Sequence, residues 1–202
     1  MSASKTWAHP AALDEETLMR ECTFAQGRSG GPGGQHRNKV ETKVTVTHTP
    51  TGLSASASER RSAIENKRVA IKRLRLVLAT EHRTGVPRGE IGSALWKSRR
   101  QKPKKGPIPA KKAAPTPETV GLPAPNPQGS AGMIVCNPSH RDYPALLAEA
   151  MDVIADAEWD HDLAGIRLDV SKSQLVKLIR EHSPALVRFN QERVKAGLRA
   201  MR

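Results

Sequence analysis

Residues 28–39 read Arg-Ser-Gly-Gly-Pro-Gly-Gly-Gln-His-Arg-Asn-Lys, which places Gln35 in a glycine-rich run between cationic side chains. Consecutive glycines permit positive φ angles and a close approach of the backbone that a side chain would block. The run therefore predicts a loop that can enter a crowded cavity. Gln35 carries a neutral amide with one acceptor and two donors, so it can hold a water molecule beside an ester without becoming charged or covalently attached.

The same glycines also suit a flexible loop, or a phosphate cradle of the kind that precedes a helix in nucleotide-binding proteins. The phosphate-loop pattern requires Gly-Lys-Ser/Thr at its end, whereas Gly34 is followed by Gln35 and His36. The lysine and the hydroxyl that binds magnesium are both missing. The sequence therefore disfavours nucleotide hydrolysis.

The loop resembles the GGQ loop of class I peptide-chain release factors and their ribosome-rescue relatives. The resemblance continues, in the family's order and spacing, through four further segments: Val40–Lys43, Thr47–Gly52, Glu59–Ser62 and Asn66–Arg68. It implies that the catalytic residues are Gly33, Gly34 and Gln35. It also implies that the loop enters the peptidyl-transferase centre of the large ribosomal subunit, where the backbone N–H of Gln35 stabilises the tetrahedral intermediate and its side chain orients water.

The resemblance further implies that ribosomal and tRNA groups handle the protons, so His36 is not expected to be a general base. No cofactor and no metal are expected. The implied partners are the ribosome with its rRNA, peptidyl-tRNA, and a glutamine methyltransferase acting on Gln35.

The charge of the chain predicts a polyanionic partner. The 202 residues carry a formal net charge of +13. Residues 1–132 contain 23 Lys and Arg against 10 Asp and Glu, whereas residues 133–202 contain 10 of each. All of the excess positive charge thus lies in the first part, which is the better RNA-binding candidate.

The side chains predicted to contact RNA lie in the loop, on a predicted long helix over Glu59–His82 and in a basic stretch after that helix. They are Arg28, His36, Arg37, Asn38, Lys39, Arg60, Arg61, Lys67, Arg68, Lys72, Arg99, Arg100, Lys102, Lys104 and Lys105. Charged helix positions are usually a solvated exterior, but the shortage of balancing acids on this helix, which also carries Arg73 and Arg75, favours phosphate contact.

Periodicity predicts an α+β fold for residues 1–95, the GGQ domain, with a short mixed or antiparallel sheet and one long helix. Apolar residues on one face of the long helix are Ile64, Ile71, Leu74 and Leu78. The other predicted elements are a helix over Leu13–Met19, strands over Glu21–Gln26, Lys43–Thr47 and Leu53–Ala57, and a short helix over His36–Glu41.

Residues 96–132 are predicted to be a disordered tail or linker. Lys97–Lys112 contains eight basic residues and no acidic one, and Pro103–Pro127 contains eight prolines. Such a composition cannot build a core. Stand-alone rescue factors carry a comparable basic extension that folds against rRNA, whereas the alternative is a generic solubilising linker. Trp96 could stack on a base, although a tryptophan at a domain end is more often packed.

Residues 133–202 are predicted to form a small all-α module. Its predicted helices cover Tyr143–Trp159, Asp162–Leu168, Lys172–Arg180 and Leu186–Met201. The second and third resemble a helix-turn-helix. Residues 142–169 carry eight acids and one base, while 170–202 carry eight bases and two acids, so one surface could face RNA. The alternative is a helical bundle whose charges merely balance each other.

Cys22 and Cys136 are the only cysteines, far apart and without metal-ligand spacing, which indicates reduced thiols. No run approaches the roughly 20 apolar residues of a membrane span, and the first residues lack an apolar signal core. The expected location is cytoplasmic.

A codon-reading release factor needs a decoding domain, for which the residues before Leu13 leave no room. We therefore expect codon-independent release, on a stalled whole ribosome or on a split large subunit. The alternative is a ribosome- or RNA-binding regulatory factor without hydrolase activity, or a regulator that acts through residues 133–202.

Overall fold

A computed structural model describes residues 7–28, 42–87, 92–101 and 132–201. The chain divides into two compact units. We call the first the sheet unit; it consists of Ala8–Thr84 and Arg141–Ala148. The second, the helical unit, consists of Met1–Trp7, Gly85–His140 and Glu149–Arg202.

The sheet unit is built around a three-stranded antiparallel sheet and one long helix. The strands are β1 (Cys22–Gly27), β2 (Lys43–His48) and β3 (Ser54–Ala57), in the order β1-β2-β3. A 3-10 turn (Pro10–Ala12) and α1 (Glu15–Arg20) precede the sheet, and α2 (Ala63–Glu81) packs against β2 and β3. The predicted α+β fold is confirmed.

Side chains of β2 alternate between buried and partly exposed positions. Val44, Val46 and His48 are buried and contribute to the core of this unit, while the residues between them are not buried. On α2, which packs against β2 and β3, the buried residues include Ile71, Leu74 and Leu78. Ile64, which the periodicity placed on the same face, is 69% exposed. The first buried side chain of α2 is Asn66, so the apolar stripe begins only after it.

The helix α2 starts later than predicted. Ser62 caps its N-terminus by accepting the N–H of Glu65, at 3.5 Å, so Glu59–Arg61 belong to the preceding turn. At the other end of β2, Gly52 adopts φ +69° in the turn to β3, a conformation that favours glycine.

The helical unit contains α3 (Ala94–Arg99), β4 (Arg100–Gln101), β5 (Met133–Ile134), α5 (His161–Arg167), α6 (Lys172–Arg180) and α7 (Ser183–Lys195). The division between the units falls within α4 (Tyr143–Asp156), after Ala148. Helix α6 has the predicted bounds. Pro184 lies in the first turn of α7, where the helix does not need a backbone N–H donor.

Residues 94–101 differ most from the sequence interpretation, which ended one domain at residue 95 and began a linker at 96. Trp96 is 1% exposed, and its indole N–H donates to the carbonyl of Leu168 at 3.1 Å. β4 pairs antiparallel with β5, so Gln101 lies opposite Met133. The change of unit comes at Thr84, before the basic stretch. Residues 102–131 lie outside the described part of the chain.

Candidate functional site

The candidate catalytic triplet lies in the segment that joins β1 to β2. Gly33, Gly34 and Gln35, with His36, Arg37, Asn38 and Lys39 and the predicted helix over 36–41, fall outside the described residues. The structure does describe both ends of the segment. Gly27 pairs with Lys43, the last pair of the β1–β2 register. The two ends are therefore held side by side at one end of the sheet.

Asn66 holds the returning end of this segment. Its side chain is fully buried, and Nδ2 donates to the carbonyl of Thr42 at 2.6 Å and to that of Arg60 at 2.9 Å. Its Oδ1 accepts the N–H of Arg60 at 2.9 Å. Sequence reasoning included Asn66 in the resemblance but gave it no role.

A second buried polar group, His48, lies at the opposite end of β2. Its Nε2 is 3.0 Å from Glu21 Oε2 and its Nδ1 is 2.8 Å from Thr51 Oγ1. Cys22 is its partner in the register, and burial raises the pKa of the Cys22 thiol. Both ring nitrogens of His48 are engaged elsewhere, and a thiol with a raised pKa is a poor nucleophile. Cys22 and His48 therefore do not form a nucleophile–base pair.

The basic residues of α2 fall into two groups. Arg73 donates to the carbonyl of Ser56 at 2.8 Å and pairs with Glu59, whose pKa this hydrogen bond lowers. Arg75 donates to the carbonyls of Ala11 and Leu13, so both arginines support the fold. The remaining basic side chains of α2 lie at or near the surface, since Arg68 and Lys72 are exposed and Lys67 is intermediate. Arg60 and Arg61, which precede the helix, are exposed as well.

In the middle of β1, an aromatic side chain is exposed to solvent. Phe24 is 38% exposed, and the Lys67 ammonium lies 4.2 Å from the centre of its ring, a cation–π contact. Arg28, at the start of the loop segment, is exposed as well. Arg28 and the basic residues of α2 therefore belong to the same unit as the ends of the loop segment.

The basic residues predicted further along the chain belong elsewhere. Arg100 forms an ion pair with Asp169, and Arg99 lies 3.3 Å from His140 Nε2, both within the helical unit. Lys102, Lys104 and Lys105 lie outside the described residues.

One group in the described ranges has the composition of a metal site: Asp160, His161 and Asp162. Asp160 Oδ1 accepts two N–H groups as the N-cap of α5, and Asp162 pairs with Lys172 at 3.1 Å. Arg193 Nη1 lies 3.1 Å from His161 Nδ1. Burial lowers the pKa of His161. These contacts account for the group structurally, and the absence of a metal stays a prediction.

Among the helices of the described residues, none is long and apolar enough to cross a membrane.

Comparison with known proteins places residues 14–106 in the family described as the RF-1 domain. A chloroplastic peptide chain release factor PrfB1 from Arabidopsis thaliana is 45% identical over 75 residues, 34% of this chain and 16% of that protein. Peptide chain release factor 1 from Chlorobaculum tepidum is 52% identical over 63 residues, 31% of this chain and 18% of the relative.

Peptide chain release factor 1 from Chloroherpeton thalassium is 52% identical over 76 residues, 37% of this chain and 21% of the relative. The chain thus spans about a fifth of the length of the curated relatives it matches. The match covers the sheet, α2, α3 and β4. Residues 14–106 of this chain therefore match the GGQ domain of class I peptide-chain release factors.

Proposed function

We propose that this protein hydrolyses the ester of peptidyl-tRNA in the peptidyl-transferase centre without reading a codon, and so releases nascent chains from stalled ribosomes. The observation that carries the proposal is the Gly33-Gly34-Gln35 triplet, which lies in a segment whose ends are paired at Gly27 and Lys43 within a release-factor domain.

The proposed chemistry is electrostatic stabilisation and positioning of water. The backbone N–H of Gln35 donates to the oxygen on which negative charge develops in the tetrahedral intermediate. The Gln35 amide orients the attacking water. Ribosomal and tRNA groups carry the protons, and no cofactor takes part. The described residues of the sheet unit support this division of labour, because the Cys22–His48 pair is not arranged as a nucleophile and a base.

The proposed ribosome-binding surface consists of exposed cationic side chains of the sheet unit: Arg28, Arg60, Arg61, Arg68 and Lys72. Contact with rRNA phosphates releases counterions, so affinity should fall steeply with salt. The basic residues after Gln101, including Lys102, Lys104 and Lys105, extend this surface in the proposal, as the basic extension does in rescue factors.

Codon independence is the finer part of the proposal. It is supported by the resemblance of the basic stretch after Gln101, which continues to Lys112, to the extension of rescue factors. The candidate substrates are a stalled whole ribosome and a split large subunit. A glutamine methyltransferase acting on Gln35 is the further partner that we propose, with the cytoplasm as the location. Residues 133–202 are proposed to select the ribosomal state.

The decisive experiment measures peptide release by the wild type and Gly34→Ala on three substrates: ribosomes with no codon in the A site, ribosomes with a stop codon in the A site, and isolated large subunits. We expect release without a codon and its loss in Gly34→Ala, because the added methyl group restricts a loop that must approach RNA closely. Ribosome binding should be unchanged.

Release that requires a stop codon would contradict codon independence alone. Ribosome binding without release on any substrate would instead favour a regulatory factor that has kept the fold.

A further inference from the structure

The amide of Asn66 joins three segments that are separate in sequence. It lies on the second turn of α2, and it bonds to Thr42, where the candidate loop returns to the sheet, and to Arg60, in the turn after β3. The β1–β2 register ends at Gly27 and Lys43, so Thr42 is beyond the strand ladder. The bond from Asn66 therefore holds the backbone at Thr42. This residue is one position nearer to the loop in sequence than Lys43, where the strand pairing ends.

The orientation of this amide is set by its partners. The N–H of Arg60 needs an acceptor, and the carbonyls of Arg60 and Thr42 need donors. Exchanging the oxygen and nitrogen of the amide would place an oxygen against two carbonyl oxygens and a nitrogen donor against an N–H. Since the side chain is fully buried, water is not at hand to replace any of these bonds.

Few other side chains can fill this position. Aspartate has the same shape but lacks both donors when ionised, leucine has no polar group, and glutamine is longer by one methylene. The site thus requires an asparagine for its hydrogen-bonding pattern as well as for its size.

We propose that Asn66 is a positioning residue for the release reaction: it fixes the point from which the segment carrying Gln35 leaves the sheet unit. This inference rests on the proposed function. Asn66 does not touch the substrate in this scheme; it acts through the backbone of Thr42. Catalysis by positioning is sensitive to such anchors, since a displacement of about 1 Å can cost about 100-fold in rate.

The test uses the full chain with Asn66→Asp, which keeps the acceptor for the Arg60 N–H and removes the donors to Thr42 and Arg60. The helical unit offers a matched control, Asn190. Its Nδ2 donates to the carbonyl of Met201 at 2.9 Å, and its Oδ1 accepts the N–H of Met201 at 2.8 Å. Asn190→Asp removes the same kind of bond from a tail that is remote in sequence from the loop.

Single-turnover release should separate the two variants. We expect kcat to fall about 100-fold in Asn66→Asp, while the ribosome concentration at half-maximal rate stays within about twofold because the exposed basic residues are unchanged. Asn190→Asp should keep the wild-type kcat even where its melting temperature falls. An equal kcat in Asn66→Asp and Asn190→Asp would overturn the positioning role.

The remaining outcomes also decide the question. Should Asn66→Asp fail to fold, Asn66→Ala, which introduces no charge, replaces it with the same expected loss of kcat. Failure of both to fold would show that Asn66 serves the fold alone and would overturn the proposal. Absence of release by the wild type would overturn the proposed function and this role with it, whereas wild-type release with a normal kcat in the variant overturns this role only.

Discussion

The sheet unit and the helical unit both bury polar side chains, but they bury them at different places. In the sheet unit, Asn66 and His48 bond to chain segments at the two ends of β2, beside the loop and beside the turn to β3. In the helical unit, Glu149 accepts the N–H of Ser93 at the start of α3, and Arg193 donates to the carbonyl of Trp159 before α5. The first arrangement holds the segments that adjoin the ends of β2, and the second joins helices.

This difference indicates which measurement should respond to a substitution in each unit. Changes near the loop in the sheet unit should alter the rate of release beyond their effect on stability. Changes in the helical unit should alter stability while leaving the chemical step intact. Three predictions test this distinction.

The largest effect is expected from Trp96→Ala. The indole is buried in the helical unit, so its loss should lower the free energy of unfolding by about 3–5 kcal/mol. Denaturant unfolding measures this loss. The kcat of release by the folded variant should stay within about twofold of the wild type, because no bond to the loop segment is removed.

Trp96→Phe is the comparison variant, since it keeps an aromatic ring but removes the donor to Leu168 and part of the buried volume of the indole. It should cost about 1–3 kcal/mol, the usual penalty for a buried acceptor left without its bond. A folded Trp96→Ala protein with a strongly reduced kcat would break the proposed separation of the two units' roles.

Trp96 also shows the limit of what the sequence could predict. Composition assigned residues 96–101 to a linker because cationic residues outnumber apolar ones there. The stabilising contacts are non-local: Trp96 bonds to Leu168, and Arg100 pairs with Asp169. Local periodicity does not contain such information, whereas it sufficed for β2 and for α6, whose patterns arise within a single element.

The candidate site likewise has one part that the sequence reveals and one part that it does not. The triplet Gly33-Gly34-Gln35 is recognisable in the sequence, because its glycines and its amide are contiguous. The role of Asn66 is not, because its partner Thr42 lies in another element. Its position among the segments of the family resemblance was the signal that could have directed attention to it.

An intermediate effect is expected on ribosome affinity when exposed arginines of the sheet unit are replaced. Arg61→Ala and Arg68→Ala should each weaken binding and reduce the slope of log K against log salt by about 1, the loss of one phosphate contact. Arg100→Ala is the matched comparison. Its guanidinium is paired with Asp169 in the helical unit, so we expect little change in the slope.

Binding curves at several salt concentrations measure these slopes, and kcat at saturating ribosomes should be unchanged in all three variants. An Arg100→Ala slope that falls as much as that of Arg61→Ala would show that the helical unit shares the RNA-binding surface. The distinction between the units would then apply to catalysis but not to binding.

The smallest effect is expected from Glu149→Gln. Burial raises the pKa of the Glu149 carboxyl, although hydrogen bonds from Ser93 oppose the shift. The folded state therefore holds this proton more tightly than the unfolded chain does. Stability is then highest below the pKa of the unfolded chain, falls as the pH rises towards the raised folded value, and is level above it.

Glutamine keeps an acceptor for the Ser93 N–H and cannot ionise, so Glu149→Gln should gain stability relative to the wild type as the pH rises through this window. Urea unfolding at a series of pH values measures the difference, with Glu181→Gln, at an exposed position, as the control. A gain confined to Glu149→Gln, with kcat unchanged, would show that a buried charge in the helical unit affects stability alone. A gain in stability that does not vary with pH would mean that the amide is favoured for its packing. Ionisation of Glu149 would then have little effect on the free energy of unfolding.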